Sequence, residues 1–185
     1  PSSYGDAGHE ILATPTVYLG STKPDQESGT QLGTDNGAAA AGDDNNGTLD
    51  DEDAFTTLAN VPTIGNYSLN VPVTNTSGNP ATLHAWIDFN QNKTFEAGEY
   101  QSATVANAAT SVNLSWTVPL NTLPGSTHAR FRLTSDSSIN SNTPGGNASN
   151  GEVEDYPVTI AVPIYDYGDA PDGSAGTGTG NYQTT

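Results

Sequence analysis

The sequence predicts an all-β protein, an antiparallel β-sandwich with long acidic loops. Apolar and polar residues alternate strictly in five segments, which are separated by stretches rich in Gly, Pro, Ser, Thr and Asn. Alternation with a period of two residues is typical of strands that bury one face. Helical periodicity is absent from the sequence, and 185 residues suffice for one domain with a buried core.

The predicted strands occupy the middle and the end of the chain. In each of them the large apolar side chains share one face, as Leu83, Ala85 and Ile87 do. Pro72 falls on the polar face of its segment, which favours an edge strand because proline cannot donate a backbone hydrogen bond. Residues 17–19 predict a further short strand. The five alternating segments are residues 67–74, 82–89, 111–118, 127–134 and 158–164.

Residues 1–163 are predicted to form one domain, in which residues 1–60 are rich in loops. Residues 29–53 nearly lack large apolar side chains, and residues 135–150 are similarly polar. Loops of that length are either functional or disordered. Residues 164–185 are predicted to be a linker, the start of a further repeat, or a tail that contacts a neighbouring subunit.

The negative charge of the chain is clustered. Fifteen of its 21 acidic residues fall in four short patches, and the net charge is −17. Clustered carboxylates repel one another in a folded protein unless a cation lies among them. A halophilic surface would spread its charge evenly, so the clustering favours metal sites, and oxygen ligands favour Ca²⁺. The acidic loops are therefore predicted to be metal-binding.

Residues 88–99 fit the spacing of a twelve-position calcium loop. Alternate residues supply oxygen atoms because a tight loop turns every second side chain inward. Lys93 stands at position 6, where such loops favour Gly for the sharp turn. A polar hairpin after a strand is the alternative interpretation. The predicted ligands are Asp88, Asn90, Asn92, Thr94, Glu96 and Glu99.

The remaining acidic patches predict a second group of calcium ligands that the sequence does not divide among sites. A solvated, disordered acidic loop is an equally good interpretation of residues 42–53. Residues 152–155 could equally be the exposed start of a strand. Asp166 and Asp169 are assigned to a junction between copies. The second group comprises Asp43, Asp44, Asp50, Asp51, Asp53, Glu152, Glu154 and Asp155.

Together these motifs resemble the GEVED domain, a module of secreted and surface proteins in bacteria. The signature Gly-Glu-Val-Glu-Asp-Tyr stands at residues 151–156. The resemblance implies a spacer or adhesion repeat without enzymatic activity. Further matching motifs are Gly8-His9, Tyr18-Leu19-Gly20, Gly42-Asp43-Asp44, Asp50-Asp51-Glu52-Asp53, Trp86-Ile87-Asp88-Phe89-Asn90 and Asp166-Tyr167-Gly168-Asp169-Ala170-Pro171.

A short motif is repeated near the two ends of the sequence. Tyr-Gly-Asp-Ala occurs at residues 4–7 and again at residues 167–170, and the two copies align without a gap. A second alignment, with Pro171 on Pro1 and Tyr182 on Tyr4, needs a gap. Both predict a tandem array or subunits joined head to tail. Residues after Pro163 are expected to pair with the neighbouring copy.

We therefore expect a non-enzymatic, calcium-binding structural repeat of an extracellular adhesin or surface fibre, assembled head to tail with copies of itself. The alternative is a calcium-dependent carbohydrate-binding module that binds surface glycans, with Trp86, Trp116 or an exposed Tyr as platform. A hydrolase ranks last because the Gly-x-Ser-x-Gly motif is absent. Four Lys and Arg residues are too few to bind nucleic acid, and no apolar run is long enough to span a membrane.

Overall fold

The computed structural model describes residues 4–24 and 53–162. These two ranges form nine β-strands and one 3₁₀-helix, Ala97–Glu99. That helix has three residues, so no helix of the described ranges is long and apolar enough to cross a membrane. The strands are β1 Ala7–His9, β2 Val17–Leu19, β3 Asn66–Asn75, β4 Ala81–Ile87, β5 Tyr100–Val105, β6 Ser111–Thr117, β7 Gly125–Thr134, β8 Gly146–Ala148 and β9 Glu152–Ile160.

Most strands belong to two antiparallel sheets. The smaller sheet has the order β2-β3-β6, and the larger sheet has the order β5-β4-β7-β9. The short strands β1 and β8 pair with each other in parallel. The prediction of an all-β protein with antiparallel sheets is confirmed.

The two sheets share one hydrophobic core. Alternation turns Leu69 and Val71 of β3 inward from the smaller sheet, and Leu83 of β4 and Phe131 of β7 inward from the larger one. Trp116 of β6 joins the same cluster. Packing of this kind is expected of the predicted sandwich, because each sheet buries its apolar face against the other.

A second layer covers the opposite face of the larger sheet. It consists of the N-terminal residues with β1 and of the segment between β7 and β9 that contains β8. Trp86, Phe95, Ile139 and Ala148 form a smaller cluster beneath it, and Tyr4 packs against them. The larger sheet is therefore covered on both faces, although hydrophobic residues make up 33% of the chain.

Several strand predictions need correction. The prediction of an edge strand at Pro72 is wrong, because β3 lies between β2 and β6. The proline is tolerated where β3 changes partner: pairing with β6 ends at Pro72, and pairing with β2 begins at Val73. The last strand begins at Glu152 and ends at Ile160, two residues before the exposed Val162. The sequence pattern missed β1, β5 and β8.

Replacing Phe131 with Ala tests whether the shared core holds the two sheets together. Phe131 is fully buried and lies against Phe55 and Tyr156, so the substitution leaves a cavity. We expect urea denaturation to report a loss of about 3–5 kcal/mol in the free energy of unfolding. Leu120→Ala is the control, because Leu120 is 99% exposed. Equal effects of the two substitutions would contradict this packing.

Candidate functional site

The loop between β4 and the 3₁₀-helix is organised around Asp88, which directly follows β4 and is fully buried. The backbone amide of Asn92 donates to Asp88 Oδ1 at 3.1 Å, and the amide of Lys93 donates to Oδ2 at 3.0 Å. The Tyr4 hydroxyl also donates to Oδ2, at 2.7 Å. One carboxylate therefore fixes the turn of the loop and anchors the N-terminal segment to it.

Glu99 closes the other end of the loop. Its Oε1 accepts the Phe89 amide at 2.9 Å, and its Oε2 accepts the Glu96 amide at 3.1 Å. The side chain is only 3% exposed. Burial raises the pKa of Glu99 to about 7, and repulsion from Asp88 adds to the rise, while hydrogen bonds from backbone amides oppose it.

The amide side chains of the loop continue this arrangement. Asn90 Oδ1 accepts a hydrogen bond from the backbone amide of Asn92 at 2.9 Å, and Asn92 Oδ1 accepts one from the backbone amide of Thr94 at 2.8 Å. Asn90 Nδ2 donates to Glu96 Oε2 at 2.9 Å. Lys93 has a φ of +64°, so it makes the turn for which calcium loops favour Gly. The predicted ligands of residues 88–99 thus lie in one compact loop.

Carboxylates alone do not form a metal site in the described ranges. No group of three or more His, Asp or Glu side chains lies close enough there to hold an ion. A cation in the loop of residues 88–99 would therefore also need the amide oxygens of Asn90 and Asn92 and a backbone carbonyl. Such oxygens are ordinary ligands of Ca²⁺.

The Gly-Glu-Val-Glu-Asp-Tyr motif forms the start of β9. Gly151 has a φ of +96°, and a Cβ atom there would lie 1.9 Å from the backbone oxygen of Leu133, so only glycine fits. Glu152 and Glu154 face the core between the sheets, whereas Asp155 faces the opposite side. The structure thus separates Asp155 from the two glutamates with which it was grouped.

The two inward glutamates bind backbone amides from distant parts of the chain. Glu152 Oε2 accepts the Leu19 amide at 2.6 Å. The oxygens of Glu154 accept the Ala54 amide at 3.3 and 3.4 Å, and the Tyr156 hydroxyl donates to the same carboxylate. In the sequence, residues 19 and 54 lie on either side of the acidic residues 43–53. Strand β9 therefore binds the chain on both sides of that stretch.

Tyr156 completes this contact. Its hydroxyl oxygen accepts the Phe55 amide at 3.1 Å, and its ring packs edge-on against the rings of Phe55 and Phe131. Burial raises the pKa of Tyr156 far above its usual value, and the Glu154 charge adds to the effect. Tyr156 therefore stays a hydrogen-bond donor to Glu154.

Asp155 forms an ion pair with the buried Arg130 on the outer side of the larger sheet. Arg130 Nε and Nη2 donate to the two Asp155 oxygens, both at 2.6 Å. Arg130 Nη1 donates at 2.9 Å to the backbone oxygens of Gly5 and Pro144. This bidentate pair therefore links β7 and β9 to both segments of the covering layer.

The other predicted ligands are not placed. Asp53 is the first residue of the second described range, and its side chain or backbone interacts with another group. The division of the second ligand group among sites stays a prediction. Outside the described ranges lie Asp43, Asp44, Asp50, Asp51, Asp166 and Asp169.

Comparison with known families gives a match over the central part of the chain. The family model described as GEVED domain matches residues 82–159. Residues 82–159 form a GEVED domain. The matched part runs through β4 to β9 and includes both the loop of residues 88–99 and the GEVED signature at the start of β9. No curated protein and no solved structure shows significant similarity to the chain.

Both tryptophans of the GEVED domain are buried. Trp86 Nε1 donates to the backbone oxygen of Ser141 at 3.2 Å, and Trp116 Nε1 donates to the backbone oxygen of Glu99 at 2.9 Å. Neither ring offers an open face to a sugar. The carbohydrate-binding alternative therefore lacks the two tryptophan platforms that the sequence suggested.

Sequence reasoning missed a buried arginine on the outer side of the larger sheet. Arg132 Nε donates to His9 Nε2 at 3.0 Å. Its Nη1 donates to the oxygens of Thr143 and Gly145 at 2.9 and 2.8 Å, and its Nη2 donates to Gly146 O at 2.9 Å. The one feature of the sequence that could have predicted this role is that Arg130 and Arg132 share the polar face of one strand. Their partners lie too far away in sequence to be inferred.

Asp155→Asn tests the ion pair with Arg130. The substitution leaves a buried guanidinium without its carboxylate, and Asp155 is itself 39% exposed, which moderates the loss. We expect the free energy of unfolding to fall by about 1–3 kcal/mol. Urea denaturation at neutral pH measures it, with Glu10→Gln at an exposed position as the control. An unchanged stability of Asp155→Asn would show that the pair contributes nothing to folding.

His9 makes the stability of the domain depend on pH. Burial lowers the pKa of His9 to about 3, and the Arg132 charge adds to this, so the folded state keeps the ring neutral. The unfolded chain binds a proton near pH 6.5. The contribution of His9 to stability is therefore lost as the pH drops from about 6.5 towards 3.

The measurement is urea denaturation at several pH values for the wild type and for His9→Gln. Glutamine can accept from Arg132 and donate to the Asn150 oxygen, as His9 does, but does not titrate. Burial also lowers the pKa of His84, to about 4, so a weaker dependence should persist in the variant. Equal slopes for the two proteins would exclude His9 as a source of the acid sensitivity.

Proposed function

We propose that this chain is a non-enzymatic, calcium-stabilised structural repeat of an extracellular adhesin or surface fibre, whose copies assemble head to tail. The observation that carries the proposal is the loop of residues 88–99. It brings the buried carboxylates of Asp88 and Glu99 together at its two ends, with the amide oxygens of Asn90 and Asn92 between them.

The electrostatics of the loop support a cation. The one ion pair in the described ranges joins Arg130 and Asp155, so no basic side chain there neutralises Asp88 or Glu99. Two buried carboxylates that repel each other are costly, and a hard cation offsets that cost. Calcium is abundant outside cells, which supports an extracellular location.

The roles of the signature residues support a structural function. Glu152 and Glu154 bind backbone amides, and Asp155 binds a guanidinium. Each carboxylate holds two parts of the fold together. This use of acidic residues suits a load-carrying module, in which bound calcium would add stability by binding the folded state alone.

Thermal unfolding in EDTA and then in millimolar Ca²⁺, with Mg²⁺ as control, tests the proposal. Calcium at a hundred times its dissociation constant should stabilise the fold by about 2.7 kcal/mol, or roughly 5–10 °C in midpoint. Glu99→Gln should lose most of this shift. Lys93→Gly should enlarge it, because it removes a positive charge from the loop.

Glu10→Gln is the charge-matched control outside the loop and should keep the full shift. A wild-type midpoint that does not move would mean that the loop is a solvated hairpin. A shift that survives Glu99→Gln would place the ion elsewhere. Glycan-array binding that vanishes in EDTA would instead favour the carbohydrate-binding alternative.

A further inference from the structure

Within the described residues, strand β6 lies at an edge of the smaller sheet. It pairs with β3 on one side, and within residues 4–24 and 53–162 no strand pairs with its other side. Its seven residues, Ser111–Thr117, include no charged residue and no proline. Soluble proteins normally protect an edge strand of this length with charge, proline or a bulge, because its free amides and carbonyls can pair with another chain.

The opposite side of the protein is built differently. There β9 carries three acidic residues near its start, and its other end is bridged to Val61. The adjacent β2 is tied to Glu152 through the Leu19 amide. On the β6 side, by contrast, the neighbouring edge strand β5 is also free of charge. Both edge strands on this side of the described fold, β5 and β6, therefore lack charged residues, although the chain has a net charge of −17.

The exposed face of β6 presents a regular polar surface. Ser115 hydrogen-bonds Ser68 of β3 at 2.9 Å, and Asn70 Nδ2 donates to Asn113 Oδ1 at 2.9 Å. The inward face carries the large ring of Trp116. A strand that extended this sheet would need small polar groups on one face and very small residues on the other.

One segment of the sequence has that pattern. Residues 173–185 contain neither charge nor proline, and residues 176–181 read Gly-Thr-Gly-Thr-Gly-Asn. In an extended conformation, Thr177, Thr179 and Asn181 would share one face and three glycines the other. The first face would continue the Ser and Asn surface, and the glycines would leave room beside Trp116.

We propose that residues 176–181 of a second copy of this chain add a strand to the free edge of β6. The inference rests on the proposed head-to-tail assembly and names its contact. Two copies of net charge −17 repel each other, so an uncharged edge and an uncharged donor offer a contact with little charge opposition. Backbone hydrogen bonds would supply the affinity, as in other cases of strand addition.

The test compares the full chain with Thr177→Pro/Thr179→Pro in millimolar Ca²⁺. Proline removes two backbone donors from the added strand, whereas Thr177→Val/Thr179→Val keeps the donors and the β-branched shape. Sedimentation velocity should show that the proline variant associates at least about tenfold more weakly, which corresponds to about 1.4 kcal/mol. The valine variant should associate like the wild type.

Two further measurements locate the contact. Hydrogen exchange of Ser111–Thr117 should slow in the assembled wild type and not in the proline variant. A synthetic peptide of residues 173–185 should bind the proline variant, while the same peptide with both prolines should not. A wild type that stays monomeric while the peptide protects β6 would support the edge contact and contradict head-to-tail assembly.

Other outcomes would overturn the inference. Equal association of the wild type and the proline variant would leave assembly standing and place its contact elsewhere. Protection of β6 in a monomeric wild type, lost in the proline variant, would mean that the tail pairs with its own chain. Absence of both association and peptide binding would reject the edge contact and the assembly together.

Discussion

The fold depends on the direction in which one strand points its carboxylates. Alternation along β9 turns Glu152 and Glu154 towards the core and Asp155 towards the other face of the sheet. Buried carboxylates are costly unless donors satisfy them, and here backbone amides and a guanidinium do so. Because those donors come from distant segments, the signature fixes the positions of residues 19 and 54 and of the layer over the sheet.

The covering layer explains how a chain with few hydrophobic residues covers both faces of a sheet. On the inner face, aliphatic and aromatic side chains pack in the usual way. On the outer face, Arg130 and Arg132 bind backbone oxygens of two segments that form little regular structure. Hydrogen bonds from guanidinium groups thus order these segments alongside a small aromatic cluster.

The sequence predicted the strands whose alternation is strong, and it missed those whose pattern is weak or short. In β5, Val105 alone is fully buried, so Tyr100–Val105 shows little contrast between its faces. β1 and β8 have three residues each and depend on contacts across the chain. The loop of residues 88–99 was recognisable because its spacing is local. The bond between Arg132 and His9 spans 123 positions and has no local signature.

The inward direction of the signature glutamates was, however, present in the pattern. Val158 and Ile160 point into the core, and residues an even number of positions earlier share their face, which includes Tyr156, Glu154 and Glu152. Because acidic residues are usually exposed, the alternation did not lead to the prediction that Glu152 and Glu154 face the core. The same alternation explains the order of residues in the signature. Glu152 and Glu154 face inward and reach residues 19 and 54, whereas Asp155 faces outward and reaches Arg130.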